Sequence, residues 1–274
     1  MPSHKRIEDR IGASPAVTTQ FVTASDGVSI AFEQAGVPGG PPVMLVHGFG
    51  SSRGQNWKST GWYSTLTEAG FAITAMDCRG HGESGKPHDP AAYGHARMAE
   101  DAVAVMDAAG LGAVFYCGYS MGGFIGLRLT AAYPARVRKL ALAGVGEFYL
   151  NGPRISDPGS RDLLAEALET DDPSSLTDRR AIMFRKFAEQ PGKDRLALAA
   201  CMRAMSPRLP SETLAGFAQE VLVVDGALDD IAGAPEPLAA QFRHGFAITV
   251  PARDHMSAVG DQKTRNAVAD FFRR

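Results

Sequence analysis

Cysteine is scarce in this chain: Cys78, Cys117 and Cys201 are all that 274 residues contain. An odd, scattered set cannot build a disulfide framework, so the small cross-linked secreted scaffolds are excluded. Cys78 and Cys117 end apolar runs, where buried free thiols are expected, and free thiols fit a reducing compartment. Charge of one sign is lacking too. Lys and Arg number 28 against 30 Asp and Glu, for a net charge of -2. The basic residues are dispersed, so there is no electrostatic footprint for nucleic acid and no such partner is expected. No apolar run approaches the roughly 20 residues needed to span a bilayer, and no membrane association is expected. The opening Met1-Pro2-Ser3-His4-Lys5-Arg6 is polar and lacks the apolar stretch of a signal peptide. The expectation is a cytoplasmic protein whose residues 1–15 form a loose terminal segment. Phosphate-cradling motifs are missing: there is no G-x-x-x-x-G-K-[ST] loop, and no G-x-G-x-x-G opens a helix after a strand. No His/Cys/Asp group has metal-ligand spacing. Neither a metal nor a cofactor is expected.

What is present is an ordinary globular composition, 45% hydrophobic and 21% charged, long enough to bury a large core without staples. Residues 18–24 and 28–34 read as strands joined at Asp26-Gly27, a hairpin signal. Short apolar runs then alternate with helical spacing. Strands are expected at 43–46, 71–76, 113–119 and 137–143, and helices at 62–69, 98–109 and 121–133. Such alternation gives βαβ units and a parallel sheet covered on both faces. With the leading hairpin, the expected fold is α/β: a mostly parallel central sheet of about eight strands with an antiparallel edge, flanked by helices. From Glu147 to Gln219 the strand signal stops. Helical stretches at 161–169, 176–189 and 195–205 are punctuated by prolines, which reads as a helical insertion. The strand rhythm resumes at 220–224 and 246–250, and a closing helix covers 263–272. The expected division is a core of 16–146 and 220–274, with 147–219 inserted.

Gly118-Tyr119-Ser120-Met121-Gly122 matches G-x-S-x-G between an apolar strand and a good helix. An abrupt strand-to-helix turn strains its apex residue and demands small neighbours two positions either side. Gly118 and Gly122 meet that demand, so Ser120 is the candidate nucleophile. The bland reading is an N-cap serine on a glycine-rich turn. A partner base belongs on a loop at the carboxyl end of a later strand. Of the two histidines after Ser120, His244 precedes the strand at 246–250 and His255 follows it, so strand polarity selects His255. An acid must orient that imidazole. Asp225, Asp229 and Asp230 cluster after the strand at 220–224. Asp225 is expected to support the turn, Asp229 is favoured because its loop can reach across, and Asp230 stands second.

With this order of Ser, Asp and His, the chain resembles the α/β-hydrolase superfamily from about residue 18 to 274. His47-Gly48-Phe49-Gly50 is similar to the family's H-G-x-G loop, and Asp77-Cys78-Arg79-Gly80-His81-Gly82-Glu83-Ser84 to its D-x-R-G-x-G-x-S loop. The resemblance implies an oxyanion hole from the N–H groups of Phe49 and Met121, and a cap formed by 147–219. One departure is Asp254 in place of the glycine often found before the catalytic histidine. The implied activity is hydrolysis of a carboxylic ester, or a lactone or thioester, of a small, partly apolar substrate through an acyl-enzyme. C–C bond hydrolysis, cofactor-free perhydrolysis and a weakly catalytic ligand receptor stay as alternatives. Trp57, Phe148 and Tyr149 are candidates for the substrate pocket. The expected partner is a small-molecule substrate, and a homo-oligomer is left open.

Overall fold

The computed structural model describes residues 17–151 and 158–274. Residues 1–15, expected as a loose segment, and residue 16 of the expected core lie outside them. The first two strands, β1 (Gln20–Thr23) and β2 (Ser29–Gly36), form the expected hairpin, with Gly27 at φ +87° in its turn. The central strands are β3 (Pro42–Val46), β4 (Ala72–Met76), β5 (Val114–Tyr119), β6 (Val137–Ala143), β7 (Glu220–Gly226) and β8 (Gly245–Val250). They build one eight-stranded sheet in the order β1-β2-β4-β3-β5-β6-β7-β8. The β1–β2 and β2–β4 pairs are antiparallel, and every later pair is parallel. Four of the five residues of β3 and of β4 are buried, as near-continuous apolar runs require in a sheet covered on both faces.

Helices α1 (Trp62–Glu68), α2 (His95–Ala108) and α3 (Met121–Ala132) connect the first half of the sheet. Between β6 and β7 the chain forms α4 (Phe148–Asn151), α5 (Pro158–Glu169), α6 (Arg179–Ala188), α7 (Arg195–Arg203) and α8 (Ser211–Ala215). There α5, α6 and α7 share a small cluster of their own, with Leu164, Leu168, Ala181, Leu198 and Met202 buried. The chain closes with α9 (Pro235–Ala239), α10 (His255–Ala258) and α11 (Gln262–Arg273). Two larger clusters fill the two faces of the sheet.

One boundary differs from the expectation with a consequence for the site. Strand β7 runs on to Gly226, and Asp225 pairs with Thr249 inside the ladder. Asp225 therefore does not support the turn. Its side chain is fully buried, and neither carboxyl oxygen has a well-formed hydrogen bond. The N–H groups of Gly144 and Val145 lie close enough to favour its charged form slightly. Burial dominates, followed by the charge of Asp229, and together they hold the Asp225 carboxyl well above the usual carboxylate range.

Candidate active site

At the carboxyl end of β5 the chain turns directly into α3, with Ser120 at the apex. Ser120 has φ 50° and ψ -112°. Among the described residues only Ala252 shares a positive φ outside glycine, and such a conformation costs about 1–3 kcal/mol. Backbone contact explains how the turn is held. A Cβ on Gly118 would overlap the Gly122 carbonyl and lie 2.6 Å from the Gly123 nitrogen. A Cβ on Gly122 would overlap the Val46 carbonyl and stand 2.9 Å from that of His47. Only glycine allows β5, α3 and the loop after β3 to close this tightly. The Ser120 N–H donates to the Ala143 carbonyl at 2.8 Å, which fixes the apex to the end of β6.

His255 and Asp229 are brought together. His255 Nδ1 donates to Asp229 Oδ2 at 2.8 Å, and both side chains are buried or nearly so. Asp229 Oδ1 accepts from the N–H groups of Ile231 and Ala232 at 3.0 and 2.7 Å. The carboxylate is thus aimed by its own loop. Asp230 is exposed and is not part of this arrangement. Asp254, the departure noted before the histidine, has a local task. It caps α10, accepting from the Ser257 N–H at 2.8 Å in a reciprocal capping box.

Two residues that the sequence did not single out also position His255. Tyr119, the residue before the serine, donates its hydroxyl to the His255 carbonyl, and the two rings lie 5.5 Å apart. Gly144 has φ +69°, and a Cβ there would press within 3.1 Å of His255 Cε1. No sequence signal marked either one: Tyr119 fills a variable position of the motif, and Gly144 simply follows a strand. Among the described residues no hydrogen bond joins the Ser120 hydroxyl to His255. Such bonds in unliganded sites are often long and tighten only with substrate bound.

The loop after β3 is held by its own side chains. His47 Nδ1 donates to the Gly48 carbonyl at 2.7 Å, and its Nε2 accepts from the Cys78 N–H at 3.0 Å. Burial keeps this imidazole neutral, pushing it down to about 4. The Gly48 N–H donates to Asn56 Oδ1 at 3.1 Å. Gly48 faces Ser120, since a Cβ built on it would lie 3.5 Å from Ser120 Cβ. Among the described residues neither the Phe49 nor the Met121 N–H has an acceptor. Further back, Asp77 accepts from the Arg53 N–H at 2.7 Å and pairs with its guanidinium, while Arg79 is clamped between Asp101 and Asp26. The Asp77–Ser84 loop is scaffold for the site.

The substrate-pocket candidates fare differently. Trp57 is wholly buried on the other face of the sheet, edge-on to Trp62 at 4.9 Å, among Val43, Leu45 and Phe271. The chain after the Phe49 loop turns inward through Gly54–Lys58 and takes Trp57 away from Ser120. It lines no mouth. Tyr149 stacks on Phe124 of α3 at 5.6 Å, and its hydroxyl accepts from the Leu209 N–H at 2.8 Å. That is a packing role between α4 and the chain before α8, and the structure does not bring Tyr149 to Ser120. Phe148 is half-buried against Gly233, on the loop that carries Asp229. Over Phe49 stand two rings of α6: Phe184 at 5.8 Å, and Phe187 against Gly50. Among the described residues no three His, Cys, Asp or Glu side chains cluster as metal ligands. No helix there is long and apolar enough to cross a membrane.

Comparison with known proteins agrees with this architecture. The chain is 39% identical over 128 residues to a non-heme haloperoxidase of Rhodococcus erythropolis, covering 45% of this chain and 43% of that protein. It is 30% identical over 147 residues to bifunctional epoxide hydrolase 2 of Sus scrofa, covering 52% of this chain and 24% of that one. The matches therefore span less than half the length of these curated relatives. Over the whole fold, a hydrolase from Pseudomonas aeruginosa superposes with a TM-score of 0.77 at 26% identity, covering 93% of this chain and 98% of that chain. The profile of the alpha/beta hydrolase fold family matches residues 41–191, just over half of the sequence. The chain belongs to the alpha/beta hydrolase fold family.

Proposed function

We propose that this protein is a serine hydrolase that cleaves a carboxylic ester, or a lactone or thioester, of a small, partly apolar substrate. The observation that carries the reading is a strained serine at a strand-to-helix elbow, with His255 on a buried Asp229 at the same end of the sheet. Ser120 Oγ attacks the acyl carbonyl while His255 Nε2 takes its proton. Asp229 orients the imidazole and stabilises its charged form. The tetrahedral oxyanion lies against the free N–H groups of Phe49 and Met121, each donor worth about 3–4 kcal/mol. Collapse expels the alcohol, which takes the proton from His255. Water, deprotonated by the same imidazole, then releases the acid and restores Ser120.

A serine at the apex argues against the chemistry named in the epoxide hydrolase relative, because opening an epoxide to a hydrolysable ester calls for a carboxylate nucleophile at that point. Helices α4–α8 serve as the cap, with Phe184 and Phe187 of α6 over the oxyanion loop. A second reading has support in the haloperoxidase relative: hydrogen peroxide takes the place of water and the acyl-enzyme yields a peracid. The test is turnover of a panel of p-nitrophenyl acyl esters by wild type and Ser120→Ala, with and without peroxide. Ester turnover that vanishes in the variant is the expected result. An inert wild type that also fails to label at Ser120 with a fluorophosphonate would sink the reading.

A further inference from the structure

Lys193 lies in the short connection between α6 and α7. Its Nζ stands 3.1 Å over the centre of the Phe187 ring and donates to Gln190 Oε1 at 2.9 Å. Among the described residues no carboxylate pairs with it. Its neighbour Asp194 is engaged elsewhere. Oδ1 of Asp194 caps α7 through the Leu196 and Ala197 N–H groups at 3.1 and 3.0 Å, and Oδ2 meets His88 Nε2 at 2.9 Å. Lys193 is nevertheless half-buried, and the loss of water pushes its ammonium down to about 8. A desolvated cation is normally matched by an anion. An aromatic face and one amide oxygen supply only part of that compensation.

The place of this cation gives it meaning. The Phe187 ring beneath it rests on Gly50, the residue after Phe49. The Phe49 ring meets His81 at 5.7 Å. The charge of Lys193 reaches both His47 and His81 and helps keep them unprotonated. His81 adds a second unmet group. Its Nδ1 donates to the Arg79 carbonyl at 2.9 Å, which leaves Nε2 as a bare lone pair, and this buried atom has no partner. Around the Phe49 loop, then, stand a donor without an anion and an acceptor without a donor.

We propose that Lys193 is an anion-accepting subsite and that the preferred substrates are esters carrying a free carboxylate. The carboxylate takes the charge-assisted hydrogen bond from Lys193 Nζ. The proposal rests on the ester-hydrolase reading above. It extends that reading from a partly apolar acyl group to one with an anionic end.

Two p-nitrophenyl esters of matched length, the butyrate and the hemisuccinate, provide the kinetic test with wild type, Lys193→Gln and Lys193→Arg. The ratio of kcat/KM for hemisuccinate over butyrate is expected to fall at least ~10-fold in Lys193→Gln and to stay within ~3-fold in Lys193→Arg. A ratio in Lys193→Gln equal to that of wild type overturns the proposal. Calorimetric binding of succinate to Ser120→Ala gives a readout that needs no turnover. Adding Lys193→Gln to that variant is expected to weaken binding at least ~10-fold, and equal or undetectable binding in both overturns the subsite. Succinate binding that depends on Lys193, in an enzyme that cleaves neither ester, would keep the subsite and sink the ester reading. Cleavage of both esters, with neither hemisuccinate turnover nor succinate binding depending on Lys193, would do the reverse.

Discussion

The elbow and the helical segment between β6 and β7 are built by opposite means. At the elbow, backbone meets backbone: Gly118, Gly122 and the loop after β3 approach so closely that no Cβ fits. In the helical segment, side chains do the joining. Asp178 and Asp194 cap α6 and α7 by accepting from the first free N–H groups. Two arginines close the other end of α5. Arg185 donates to the carbonyls of Ala167 and Thr170, and Arg195 to those of Leu168 and Glu169. These are the carbonyls a helix end leaves unsatisfied, and cations suit them. A backbone-built element has no soft coordinate, whereas one held by long side chains can shift by changing rotamers. The first suits a reacting atom that must not move. The second suits the proposed role of this segment as a cap that admits substrate.

The comparison can be broken at its chemical centre first. Ser120→Ala and Asp229→Asn are each expected to lower kcat by about 10³–10⁴-fold with the fold intact. Near-wild-type esterase kinetics in either variant would remove the elbow from the chemistry. Next comes its mechanical claim. Gly122→Ala forces a Cβ onto the Val46 carbonyl, and the expected loss is about 3 kcal/mol, read as the midpoint of denaturant unfolding. A small change there would mean the elbow can give way after all. The cover should answer differently. Arg185 is 7% exposed, and Arg185→Ala, which frees the buried Ala167 carbonyl and the partly buried Thr170 carbonyl, is expected to cost about 2 kcal/mol and to raise KM more than it lowers kcat. A fall in kcat alone would say that α6 shapes the reacting geometry and is more than a cover.

The smallest expected effect sharpens the picture of the core. The folded protein holds Asp225 protonated well above the usual range, so the unfolded chain ionises it first. Below about pH 4 both states keep the proton and nothing is lost. As pH rises past that point, only the unfolded chain releases the proton, and stability falls until the folded value is reached. Asp225→Asn removes this loss. The expected outcome is a gain in stability that is larger at pH 8 than at pH 4, measured as melting temperature at each pH. An equal gain at both would show that packing, and not ionisation, sets the effect.

Much of this was legible before any coordinates. The alternation of apolar runs and helical spacing fixed eight strands with an antiparallel edge, because a buried parallel strand must be apolar on both faces. Glycine spacing located the elbow, since only close approach makes two glycines around a serine necessary. Strand polarity separated His255 from His244. Other features depended on partners remote in sequence. Trp57 follows the Phe49 loop and was expected at the site, yet the chain's path buries it on the opposite face. Tyr149 found its partner in Phe124, and Tyr119 in a carbonyl 136 residues away. Asp225, Asp229 and Asp230 are chemically alike, and only the extent of β7 and the fold of its loop set one in the ladder, one on His255 and one in solvent. Periodicity and steric exclusion act along a short stretch of chain, so the sequence by itself determined the sheet, the elbow and the position of the histidine. Which carboxylate meets it, and which aromatic rings stand over Phe49, are matters of three-dimensional approach, and only the tertiary structure decided them.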